Sequence, residues 1–222
     1  MWKVLHTATI GDYTLLFNVL DFLSCTVGFH TDRVIPLAFH VDYWDYLGWP
    51  DRFAQGQFTK RQRQIARINR SRTIYTPQLV LQGEDFRRHR RFQNAVERIN
   101  QTPARAQINL KVTPTAGALG VVAEARVAEA THRRDASVFI ALYENNLQSD
   151  VKAGENTGRT LRHQFVVRQW IGPLALNSQG QLHWSHSIAL DKDWKTKDIG
   201  VVACVLCQRP STGRSTNPSS QR

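Results

Sequence analysis

Between residues 106 and 208, six strand-length runs follow one another: "INLKVT", "LGVVAEARVAEA", "ASVFIALYENN", "TLRHQFVVRQW", "QLHWSHSIAL" and "IGVVACVLCQ". All are rich in β-branched residues, and Gly, Pro, Asn and Asp separate them. This texture commits the carboxyl-terminal half to mostly antiparallel β-structure, with a sandwich as the expected packing. Upstream the pattern changes. "RVIPLAFHV" (33–41) is short and almost wholly apolar, as a strand buried on both faces requires. "FTKRQRQIARINR" follows, with Thr59 and Gln62 at capping-box spacing and Phe58, Ile65 and Ile68 on one helical face. "TPQLVLQG" reads as a second strand, and Asp85 as the cap of a helix bearing the stripe Phe92, Ala95, Val96 and Ile99. Strand, helix, strand, helix predicts an α/β layer.

The expected class is therefore α+β: an α/β half over 34–100, then a β-sandwich-like half over 106–208. "NQTPARAQ" (100–107) links the two. Residues 1–33 form an atypical leading segment, and the polar, Ser/Pro-rich 209–222 a disordered tail.

Composition removes several function classes. Three cysteines, Cys25, Cys204 and Cys207, do not make a disulfide framework. No run of 18 uncharged apolar residues exists, so no membrane-spanning helix is predicted. The opening "MWKVLHTATIGDYTLLFNVLDFLSC" is like a degraded export signal, interrupted by Asp12 and Asp21 and without a convincing cleavage site. The formal net charge is +11, and residues 59–100 alone carry eleven Lys/Arg against Glu84, Asp85 and Glu97. "FRRHRRFQNAVERIN" thus invites a nucleic-acid reading, but no aromatic platform interleaves its arginines. A solvated helix face accounts for them better.

The segment "AFHVDYWDYLGWPDRF" (38–53) stands apart, being acidic and aromatic in a basic chain. His40 and Asp42 share a face if the strand continues through them, at the carboxyl end where open sheets place ligands. Asp42 and Asp45 offer paired carboxylates, or with His40 part of a metal set whose third ligand is not in evidence; no metal is assigned. Tyr43, Trp44 and Trp49 supply aromatic surface. A purely local reading, a turn built on Gly48 and Pro50 with aromatics packed beneath, competes with a substrate-facing one. In "RTIYTPQLVLQG", Pro77 opens a buried strand and is a candidate cis proline beside Tyr75 and Thr76. In "GENTGRTLRHQFVVRQW", Leu161, His163, Phe165 and Val167 alternate with Arg162, Gln164, Val166 and Arg168. Asn156, Arg159, His163 and Arg168 are the residues there that can face a ligand. "CVLC" (204–207) lies within a strand pattern, with its sulfurs on opposite faces and its Cα atoms roughly 10 Å apart, unsuited to a disulfide. His183 and His186 likewise face opposite ways. There is no Gly-rich phosphate loop and no Ser/His/Asp arrangement, and no cofactor is implied.

"VIPLAFHVDYWDYLGWPDRFA", "FTKRQRQIARI", "TIYTPQLVLQG" and "GENTGRTLRHQFVVRQW" together closely resemble a family of bacterial secreted proteins of unknown function. The resemblance spans about Val34 to Gln208. It implies a thioredoxin-like amino-terminal half and a β-rich second half, with Pro77 as the cis-proline of the site and His40 to Trp49 flanking it. It also implies a periplasmic or secreted location, although the weak leader leaves the cytoplasm open. One departure is sharp. The family carries a Cys-x-x-Cys after its first strand, whereas "DYTLLFNVL" stands at the matching place and Cys25 is single. Exchange needs an attacking thiolate and a resolving partner. The leading expectation is a binding or redox-inactive version of such a site, taking a small ligand or a protein thiol. The alternatives are an active thiol oxidoreductase using Cys25 or a missing amino-terminal Cys-x-x-Cys, and a basic nucleic-acid-binding protein. Oligomeric state is left open.

Overall fold

A computed structural model describes residues 13–17, 34–154 and 156–207. Its amino-terminal elements are β1 (Tyr13–Phe17), β2 (Ile35–Phe39), α1 (Gly56–Ile68), β3 (Gln78–Leu81), β4 (Glu84–Asp85) and α2 (Phe92–Asn100). Next come β5 (Ala106–Thr115), β6 (Ala118–Val127), the single-turn α3 (Ala130–Arg133), β7 (Ala136–Glu144) and β8 (Leu147–Asp150). The last are β9 (Thr160–His163), β10 (Val166–Ala175), β11 (Gln181–Ala189) and β12 (Ile199–Cys207).

Seven strands form one mixed sheet in the order β12-β7-β10-β2-β1-β3-β4. β2 lies parallel to β1 on one side and meets β10 in parallel on the other, through Val166 opposite Ala38. The Ala38 N–H donates to the Phe165 carbonyl at 2.9 Å, sealing that joint. Pro36 through Phe39 are consequently buried, as the unbroken apolar run predicts. α1 covers one face of the sheet. Phe58 meets Phe39 edge-on at 5.1 Å, Phe39 meets Trp170 at 5.3 Å, and Trp170 stacks on Phe139 under the Arg61 guanidinium. Each fully buried phenylalanine contributes about 2–3 kcal/mol. A three-stranded antiparallel sheet, β11-β6-β5, adds Ile108, Leu110, Leu119, Val121 and Ala123 to the same core. A separate two-stranded antiparallel ribbon is formed by β8 and β9.

This corrects the expected class. The molecule is mostly β, with several sheets and three α-helices among the described residues, and it does not divide into a thioredoxin-like α/β half and a β-sandwich-like half. Strands from both sides of the 100–107 segment hydrogen-bond into one sheet, because β10 pairs with β2 along an edge that a free-standing α/β layer would leave open. Within the leading segment, "YTLLF" is a central strand. The rest of 1–33, including Cys25, and the expected tail over 209–222 lie outside the described residues.

Local expectations fare unevenly. α2 packs Phe92 and Ala95 on Leu79 and Leu81, with Val96 and Ile99 alongside, as its stripe requires. Its cap is Arg91 rather than Asp85, which lies in β4 and binds Tyr75, Gln78 and Arg87. α1 starts three residues before Thr59, after Gln55. Thr59 and Gln62 therefore form no capping box; they project from the helix body to bind other segments. Arg87, Arg88, Arg90 and Arg91 precede α2 instead of lining its polar face. The expected continuous strand over 160–170 breaks in two at Phe165, whose φ of 55° lies in the left-handed region. The alternation drawn through that point fails: Val166 and Val167 are both fully buried.

Candidate functional site

The chain leaves β2 at Phe39 and immediately turns. His40 and Asp42 are outside the strand, so the shared face expected of them does not exist. The His40 ring, 2% exposed, donates through Nδ1 to the Asp51 carboxylate at 2.5 Å. Asp51 reaches it because a short 3-10 turn (Asp45–Leu47), Gly48 at φ 95° and Pro50 fold the loop back on itself. Burial alone would raise the Asp51 carboxyl. The bond and charge of His40, the Phe53 N–H and the more distant His163 outweigh it and hold the group below its usual range.

Asp42 points elsewhere. It accepts the Thr59 hydroxyl, while the Thr59 oxygen accepts the Asp42 N–H. A Cβ placed on Gly56 would come 3.0 Å from Asp42 Oδ2, so this carboxylate sits over the first turn of α1, where helix-end polarity favours it. The Asp45 carboxylate accepts the Asp51 N–H at 3.2 Å. Asp42 and Asp45 thus accept from different groups, and of the two it is Asp45 that lines the cavity described below. Among the described residues no group of three or more His, Cys, Asp or Glu is placed to hold a metal.

Trp44 closes the loop against the second segment: its indole N–H donates to Thr76 Oγ1 at 2.8 Å. The Thr76–Pro77 peptide is cis, and Gly172–Pro173, which sequence reasoning did not single out, is cis as well. Gln62 supports this region from α1, donating to the Tyr75 carbonyl and to Gln78. The Tyr75 side chain turns away from the loop. Its hydroxyl donates to Asp85 at 2.6 Å beneath the Arg87 guanidinium, and burial, then the Asp85 carboxylate, pushes its pKa up to about 12. Tyr43 packs against the main core, and burial raises its hydroxyl above the ordinary value.

The third segment is the turn joining β8 to β9. Arg52 donates to the Gln148 carbonyl at 2.7 Å, and Gly154 lies beside the Leu47 carbonyl. His163, buried at the end of β9, meets His40 and Phe53 edge-on at 5.2 and 5.3 Å, and its Nε2 lies 3.1 Å from Ser149 Oγ. Arg168 sits where β10 slips register against β7, between Val167 and Gln169. Such a bulge re-aims a side chain. Here it lays the guanidinium over Phe53 and Trp194, 3.5 Å from the fully buried Glu144. Burial lowers the Arg168 pKa, with Glu144 opposing.

These three segments enclose a cavity of about 340 Å³. His40, Trp44, Asp45 and Trp49 line it from the first segment, Thr76 and Pro77 from the second, and Asn156 from the third. Asp42, Tyr43, Tyr75, Arg159, His163 and Arg168 are not among its lining residues. Arg159 is exposed, and its N–H binds the Asn156 carbonyl. Sequence reasoning missed Asp51, Val41, Leu47, Val151, Ala153, Gly154 and Leu161 in the wall. Gly48 and Pro50 were the available signal for Asp51, since a chain that turns there returns toward His40.

The cysteines fall elsewhere. Cys204 faces Phe139 across the β12–β7 pairing, is buried, and has its thiol pushed up to about 12 by desolvation. Cys207 ends β12, consistent with a strand placing for "CVLC". His183 and His186 both lie in β11, far along the chain from these segments, with His183 beside Glu124 at 3.4 Å.

Residues 23–206 match a family model described as Protein of unknown function (DUF1223). No curated protein matches the chain. Among solved structures it is similar to a structural-genomics protein from Agrobacterium tumefaciens, with 17% identity and a TM-score of 0.50 over 97% of this chain and 98% of that one. It is also similar to HBP35 of Porphyromonas gingivalis, with 14% identity and a TM-score of 0.63 over 90% of this chain and 70% of that one. At these identities the likeness is one of fold alone.

Proposed function

We propose that this chain, which belongs to the DUF1223 family of proteins of unknown function, binds a ligand non-covalently in the cavity walled by His40, Trp44, Asp45, Trp49, Thr76 and Pro77. One observation carries the reading: three segments distant in sequence converge on a single concave, largely apolar space with a few placed polar groups, the usual build of a ligand site. The polar groups are held before any ligand arrives. His40 is fixed by Asp51, Trp44 by Thr76, and Asp45 by the Asp51 N–H. Fixed donors and acceptors reduce the ordering cost of binding.

Thiol exchange is not part of this reading. The described walls carry no thiol, and Cys204 is sealed in the core with its ionisation suppressed. Insulin-disulfide reduction, with Cys25→Ser as control, tests that half; robust activity lost in the variant overturns it. Ala153→Trp, which places an indole in the cavity, tests the other half. Binding measured by calorimetry is expected to vanish in that variant while its circular dichroism is unchanged, and binding that persists overturns the assignment of the site.

A further inference from the structure

Resting on that reading, we infer that the occupant is an extended peptide segment with a basic side chain. Its cation enters the cavity beside Asp45, Trp44 and Trp49, and its neighbouring apolar residue covers Tyr46 and Leu47.

Charge argues for the cation. The chain carries a formal net charge of +11, yet the described residues that line the cavity include two carboxylates and no Lys or Arg. Asp51 is engaged on both oxygens, by His40 and by the Phe53 N–H. Asp45 has one oxygen engaged, by the Asp51 N–H, and makes no ion pair with another described residue. It is the carboxylate left to meet a ligand. Trp44 and Trp49 line the same cavity, and indole faces attract cations, guanidinium above all.

Surface argues for a peptide over a free small cation. Among the described residues the large hydrophobics left exposed are Trp44 (40%), Tyr46 (76%) and Leu47 (47%). All three lie on this one loop, and contiguous apolar exposure of that kind marks an interaction surface. A ligand confined to about 340 Å³ would leave Tyr46 uncovered, whereas a chain with one side chain inserted and the next lying outside covers both parts.

Fluorescence anisotropy with labelled Leu-Arg-Leu tripeptide amide tests this, beside the same peptide with neutral citrulline for arginine and beside N-butylguanidinium as competitor. The arginine peptide is expected to bind about tenfold tighter than the citrulline peptide. Asp45→Asn, which keeps an acceptor for the Asp51 N–H, is expected to erase that difference. Ala153→Trp is expected to block both peptides. Equal binding of the two peptides, still blocked by Ala153→Trp, overturns the cation and leaves the cavity reading standing. N-butylguanidinium competing as strongly as the peptide binds overturns the peptide. Absence of binding by both peptides, or binding that Ala153→Trp does not touch, overturns this inference and the cavity assignment together.

Discussion

Two segments of this chain carry residues suited to chemistry, and the fold treats them in opposite ways. His40 and Asp51 lie just beyond the carboxyl end of β2, where the chain has left the sheet and can turn around an enclosed space. Cys204 lies in the middle of β12, paired across to Phe139 and fully buried. At the strand end, burial is partial and compensated, so a carboxylate stays ionised more readily than usual. In mid-strand, burial is complete and the charge of Arg61 offsets it only in part, so a thiol stays protonated. A reactive side chain becomes a site when the backbone beneath it stops pairing; inside the ladder it is core.

The largest effect is expected from removing the carboxylate. Asp51→Ala leaves His40 buried without its partner and is expected to cost about 3–5 kcal/mol of stability in urea denaturation. Cys204→Ala removes only a small buried group and is expected to cost roughly 1–2 kcal/mol. Equal losses would erase the distinction. The pH dependence should then run in mirror image. Asp51 has a folded pKa below its ordinary 3.8, so its contribution is full above that value and is lost as pH falls through the folded pKa. Cys204 has a folded pKa raised from 9.0 to about 12, so its contribution is full below 9.0 and is lost as pH climbs toward 12. Asp51→Asn should flatten the acid limb of the stability profile and Cys204→Ala part of the alkaline limb; exchanged effects would contradict both assignments.

A smaller effect concerns the bulge. Arg168→Ala loses the stacking on Phe53 and Trp194 and leaves Glu144 with the Lys195 N–H but without the Arg168 cation, for an expected cost of about 2–3 kcal/mol, of which Arg168→Lys should restore less than half. Full recovery by lysine would show that only the charge matters. The smallest effect belongs to the basic turn before α2. Replacing Arg88 and Arg90 by Gln should change stability by under about 0.5 kcal/mol, and filter binding of single-stranded DNA should show no steep salt dependence before or after.

Much of this was legible in the sequence, for reasons specific to each part. The apolar run 33–41 announced a doubly buried strand, of which Ile35–Phe39 is the part that forms, and the Phe92, Ala95, Val96 and Ile99 stripe announced which face of α2 is covered. Residues of the site loop were visible because acids and aromatics are conspicuous in a basic chain. The joining of the sheet was not legible, since nothing local to Val166 says that it will lie against Ala38 across more than a hundred residues. Nor was the break at Phe165: the alternating pattern runs straight through it, and the left-handed turn is held by a tertiary bond from the Phe165 N–H to Asn145 Oδ1. Helix starts misled for a related reason. Thr59 and Gln62 have capping chemistry, but their partners are Asp42, Tyr75 and Gln78, brought close only by the fold.

The most direct test of the account is one binding isotherm on a variant lacking all three cysteines, Cys25→Ser, Cys204→Ala and Cys207→Ser together. Titrated with the Leu-Arg-Leu peptide, it is expected to match the native chain within about twofold, because the proposed site draws on His40, Trp44, Asp45 and Trp49 and on no thiol among the described residues. Loss of binding from a variant that remains folded by circular dichroism would contradict that claim.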